Sequence, residues 1–136
     1  MIKPIVRDAF FLNRKSEEAT KADLTVAQDL EDTLRANRER CVGMAANMIG
    51  YRKRIIIVAT GFADIVMINP VITDRSGAYE TEEGCLSLPG VRKTTRYERI
   101  TVKYLDKKFA EHTQSFSGYI AQIIQHECDH LEGILI

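Results

Sequence analysis

GYIAQIIQHECDHLEG, residues 118–133, is where the periodicity of the chain turns helical: Ile120, Ile123, Ile124, Glu127 and Leu131 recur at helical spacing. The stretch reads as a helix with an apolar stripe. Upstream, LTVAQDLEDTLRANRER (24–40) opens with a Thr25-x-x-Gln28 capping-box pattern and lines up Ala27, Leu30 and Leu34, which predicts an N-terminal helix. Between the two lie short β-branched runs. RIIIVAT (54–60) and IVMIN (65–69), joined by a Gly-containing turn, predict a hairpin, and Asn69-Pro70 predicts a break after it. ITVKYL (100–105) alternates apolar and polar positions, as a strand with one wet face does. Helix, strands, helix in that order predict an α+β fold, an antiparallel-rich sheet packed against the last helix.

The chain has 136 residues, 45% of them hydrophobic, which suits one domain over 1–136 with a single core. Nineteen basic and nineteen acidic residues cancel, so composition gives no general reason to bind nucleic acid or an anionic membrane. No apolar run approaches the length that crosses a bilayer, and the first residues lack the apolar core of an export signal. A cytoplasmic protein is expected. Three cysteines without an export signal point to packed thiols or metal ligands rather than to a disulfide framework.

His126 and His130 are four apart and share one helix face, so both imidazoles can reach a point about 2 Å from each nitrogen, as a zinc-like ion requires. Glu127, turned by about 100° from His126, is placed to move a proton beside such an ion. Asp129 reads as an ion-pair partner and Cys128 as core. Two side chains hold a metal poorly, so a third ligand is needed. Only LEGILI follows His130, which places it upstream, where Cys41, Cys85 and His112 are the candidates by residue type. His112 sits in what reads as a charged loop, KKFAEHTQS, while Cys41 and Cys85 both neighbour glycines.

CVGMAANMIG (41–50), EGCLSLPG (83–90) and QHECDHLEG (125–133) together resemble, in order and separation, the three signature motifs of the peptide deformylase family. That resemblance implies antiparallel strands wrapped around a C-terminal metal-binding helix. It makes Cys85 the third ligand with His126 and His130, around one divalent ion that is ferrous iron in the cell and often zinc or nickel after purification. The implied reaction removes the N-formyl group from the initiator methionine of nascent polypeptides. Glu127 then serves as the proton carrier, and the backbone N–H of Leu86 meets the oxygen that becomes negative. Val42 and Gly43 match backbone that pairs with the extended substrate, Arg92 a basic residue near the peptide, and Ile123 a wall of the methionine pocket. Work on nascent chains implies proximity to the ribosome, without direct nucleic-acid binding; the basic run RKTTRYER (92–99) reads as a solvated strand edge.

Two positions depart from the pattern: Cys41 stands at its first glycine, and the second bears on the chemistry. The family carries a glutamine donor where this chain has Met48, and a thioether has no hydrogen to give. Asn47 offers a carboxamide one residue earlier, but in extended backbone it points the other way. The alternative reading is therefore a metal-holding paralogue with little turnover that binds formylated or nascent chains. A general endopeptidase is disfavoured, because the third ligand in that class lies downstream.

Overall fold

The computed structural model describes residues 1–135. Five strands, β1 (Gly43–Ala45), β2 (Ile55–Ala59), β3 (Asp64–Gly84), β4 (Val91–Leu105) and β5 (Glu111–Ser117), form one sheet in chain order, every pair antiparallel. The helices are a short α1 (Ala9–Leu12), α2 (Leu24–Ala36) and α3 (Gly118–Leu131). Both α2 and α3 pack on β2. That explains the unbroken apolar run there: Ile55 to Val58 are all 0% exposed, each isoleucine contributing about 1.5–3 kcal/mol by burial. α3 also packs on β1 and β4, so its inner face is held against strands on both sides of β2. Among the described residues, no helix is long and apolar enough to cross a membrane.

The expected hairpin is present, with Ile55 opposite Ile68 and Ala59 opposite Asp64. The predicted break at Asn69-Pro70 is instead a bulge inside β3. Proline cannot donate to the ladder, and Asn69 takes φ 51°, so the register slips between Ile68 and Val71 before pairing resumes. The Asn69 carboxamide anchors the bulge, accepting from Ala19 N at 2.8 Å and donating to Ala19 O at 3.0 Å. The N-terminal helix is shorter than its pattern: it ends at Ala36, not residue 40, where Asn37 Nδ2 donates to Thr33 O at 2.8 Å. The capping pair is also not Thr25 and Gln28. Thr20 N donates to Asp23 Oδ2 at 2.9 Å, closing a 3₁₀ turn that leads into α2, and Thr25 lies within the helix.

Two strand regions were not apparent from the pattern. β3 and β4 extend their pairing from Val71–Lys103 out to Gly84–Val91, and KKFAEHTQS is not a loop throughout, because β5 begins at Glu111. His112 sits exposed on β5, 2.7 Å from Asp106 Oδ2. The outer half of β3 and β4 matters most for chemistry. It delivers Glu83 to the end of β3 and Arg96 to the middle of β4, against α3.

Candidate metal centre and cleft

α3 sets His126 and His130 one turn apart with their Nε2 atoms 3.2 Å from each other. β3 ends at Gly84, and the next residue, Cys85, brings Sγ to 3.3 Å from His130 Nε2. The three donor atoms lie within 4.8 Å of one another. Metal–nitrogen bonds of about 2.0–2.1 Å and a metal–sulfur bond of about 2.3 Å at tetrahedral angles put nitrogens about 3.3 Å and sulfur and nitrogen about 3.6 Å apart. The donor set therefore fits a small divalent cation. His112 is remote from it, on β5. Cys41 shares the cleft, but its thiol donates to Gly43 O at 2.8 Å, and burial pushes its pKa up to about 12, which keeps it a neutral thiol.

Behind the imidazoles lies a buried polar network. His126 Nδ1 donates to Glu83 Oε1 at 2.8 Å, which turns Nε2 toward Cys85 and His130. Glu83 in turn accepts from Arg96 at 2.9 and 2.7 Å and from Gln122 Nε2 at 2.9 Å. Arg96 also donates to Asp129 Oδ2 at 2.6 Å, so Asp129 is the ion-pair partner its position suggested. Burial works against charge on Glu83, yet the hydrogen bonds from His126, Arg96 and Gln122 outweigh it and hold its pKa down to about 2. The basic run at 92–99 is thus not uniformly solvated: Arg96 is 3% exposed. Burial likewise opposes a charge on His126, but Glu127, Cys85 and Glu83 prevail and raise its pKa to about 10, whereas burial and the neighbouring His126 hold His130 down at about 3.

Neither Glu83 nor Arg96 was singled out by the sequence. The usable signal was the glutamate two residues before the metal cysteine, since a metal-bound histidine ordinarily hands its other N–H to a carboxylate. Arg96→Met should leave the buried Glu83 carboxylate with only His126 and Gln122 as partners and the partly exposed Asp129 without its ion pair, at a cost of about 3 kcal/mol. Urea unfolding of the metal-free protein checks this; a loss below about 1 kcal/mol would show that the network contributes little to holding His126.

The donors open on a cleft of about 470 Å³ lined on one side by Cys41, Val42, Gly43 and Met48, on another by Glu83, Cys85 and Leu86, and by the Tyr119–Glu127 face of α3. Glu127 is 4% exposed, its Oε1 has no hydrogen-bond partner among the described residues, and burial lifts its pKa to about 7. Gly43 is required by close approach: a Cβ there would stand 2.6 Å from Ile123 Cγ2 and 3.0 Å from Glu127 Oε2. Val42, Gly43, Met48, Leu86 and Ile123 therefore come together around the donors. Arg92 does not join them, its guanidinium instead donating to Pro89 O at 3.3 Å. Met48 lies not in extended backbone but in a 3₁₀ turn, Ala46–Ile49, where its Sδ accepts from Ala45 N at 3.4 Å. Asn47 is 0% exposed and gives its Nδ2 to His130 O at 2.9 Å, so its carboxamide faces the protein rather than the cleft.

Two solved structures share this architecture across nearly the whole chain. The actinonin-bound class I type b peptide deformylase of Acinetobacter baumannii superposes with a TM-score of 0.88 at 33% identity, covering 99% of this chain and 95% of that one. The Met-Ala-Ser-bound form of that enzyme gives 0.89 at 31% identity, over 99% and 97%. A thiol just past the end of a strand, two imidazoles one helical turn apart and a buried glutamate beside them define a metallohydrolase. The family model for polypeptide deformylase matches residues 2–136, and the peptide deformylase of Clostridium beijerinckii is 62% identical over 136 residues, all of both chains. This chain belongs to the polypeptide deformylase family.

Proposed function

We propose that this protein hydrolyses the N-formyl group from formyl-methionine at the start of nascent polypeptides, with Cys85, His126 and His130 holding one divalent cation. The observation that carries the reading is the convergence of those three donors beside a buried glutamate at the floor of an open cleft. Ferrous iron is the proposed metal in the cell, with zinc or nickel taking its place after purification. When bound, such a cation polarises the formyl carbonyl and acidifies water.

The chain's own groups supply the rest. Glu127 takes the proton of the attacking water and passes it to the departing amine. The backbone N–H of Leu86 points its positive end at the oxygen that becomes negative. β1 is the first strand of the sheet and, among the described residues, pairs only with β2, so the backbone at Val42 and Gly43 is the natural edge for an extended peptide to join. Ile123 gives the methionine side chain an apolar wall. Arg92, outside the cleft, would meet only a longer peptide. The residues 1–136 act as one deformylase-like domain in the cytoplasm, near the ribosome where nascent chains emerge, without binding nucleic acid directly. The reading of a silent paralogue draws only on Met48; an intact donor set and a 62% identical relative that is a peptide deformylase favour the enzyme.

Protein purified without oxygen and loaded with iron or nickel should release formate from a formyl-Met-Ala peptide at an ordinary enzymatic turnover, about 1–10³ per second. Metal-loaded protein that releases none would sink the proposal.

A further inference from the structure

The cleft face of α3 is a row running outward from the metal donors: His126 and Glu127, then Gln122 and Ile123, then Tyr119. Gln122 precedes His126 by four residues, just over one turn, or about 6 Å along the axis. The sulfur of formyl-methionine lies five bonds from the formyl carbon, about the same length when extended. A substrate whose formyl carbon lies at the metal therefore brings its thioether level with Gln122 and Ile123. Ile123 is apolar. Gln122 is not.

The Gln122 carboxamide is held, not free to swing. Its Nε2 donates to Glu83 Oε2 at 2.9 Å, and Glu83 is itself fixed by Arg96 and His126. Among the described residues this is its only side-chain hydrogen bond. A carboxamide has two N–H donors and an acceptor oxygen, so one N–H and the oxygen remain at the cleft wall. A thioether is a weak acceptor with little use for that N–H, whereas the oxygen of methionine sulfoxide is a strong one. An apolar wall would strand the sulfoxide oxygen without a partner; a glutamine wall gives it one.

We infer that Gln122 is a specificity-determining residue of the deformylase reaction proposed above: its carboxamide admits formyl-methionine sulfoxide at the first position beside formyl-methionine. The inference rests on that reaction and deepens it, extending the substrate class to chains whose first residue has been oxidised.

Nickel-loaded protein is assayed on three peptides, formyl-Met-Ala, formyl-Met(sulfoxide)-Ala and formyl-norleucine-Ala. Wild type should handle the sulfoxide within about tenfold of the thioether in kcat/KM. Gln122→Leu should widen that ratio by about tenfold to a hundredfold, the cost of leaving one buried acceptor unpaired, and should favour norleucine over methionine. Gln122→Met, which keeps the volume of the side chain, should do the same. Because the ratio is taken within one protein, any general loss from releasing Glu83 cancels. An unchanged ratio in both variants, or a wild type that rejects the sulfoxide more than a hundredfold, overturns the role of Gln122 while leaving the deformylase reading intact. Failure of wild type on all three peptides overturns both.

Discussion

Glu127→Gln is expected to lower kcat on a formyl-methionyl peptide by about 10²- to 10⁴-fold while the metal stays bound. Glutamine keeps the size of the side chain, and with it the packing against Gly43 and Ile123, but it cannot take a proton. The proposed metal donors are Cys85, His126 and His130, so metal content should not change. The acid limb of the pH profile supplies a second readout. Burial places the Glu127 pKa at about 7 in the metal-free protein, and a cation alongside favours the ionised form, so the loaded enzyme titrates below that value. Below its pKa the carboxyl already carries the proton it must accept, so wild-type activity falls as the pH is lowered through it. The residual activity of Glu127→Gln should lose that dependence. A variant that keeps the wild-type rate, or that loses its metal together with its rate, would exclude this role.

How far the sequence reached follows from where burial is one-sided. α3 was legible because a single apolar stripe faces the sheet, and the β2–β3 hairpin because Ile55 to Val58 are buried on every side. The outer reach of β3 and β4 was not, since TDRSGAYETEE presents polar residues to both faces and shows no period of two. Its pairing is set by the neighbouring strand rather than by its own pattern. The same cause hid Arg96. In a run of exposed charges its burial depends on Glu83 and Asp129, which are distant in sequence and meet it only in the fold. The metal donors were legible as residue types at a fixed spacing, and the choice of Cys85 among Cys41, Cys85 and His112 came from the resemblance. Distances now support that choice, with His112 out on β5 and the Cys41 thiol bonded to Gly43 O.

Met48→Gln is expected to raise kcat by about tenfold to a hundredfold with little change in KM. Removing one donor from a developing oxyanion typically costs about 10²–10³ in turnover, which bounds what restoring one can return. Met48 lines the cleft with Cys85 and Leu86, so a carboxamide on its side chain enters the right space. Its backbone is already fixed, because Val6 N donates to Met48 O at 2.7 Å and the turn closes around it. Asn47 offers no substitute while its Nδ2 is bound to His130 O. A donor that meets charge present only in the transition state lowers the barrier without tightening the ground-state complex, which is why kcat should move and KM should not. The position is 1% exposed, so the new amide must find its partner there or lower the melting temperature, and both are read on the same protein. A Met48→Gln variant no faster than a wild type already turning over at ordinary rates would mean that Leu86 N–H and the cation carry the oxyanion unaided, and that the Met48 thioether occupies a place where no donor is needed.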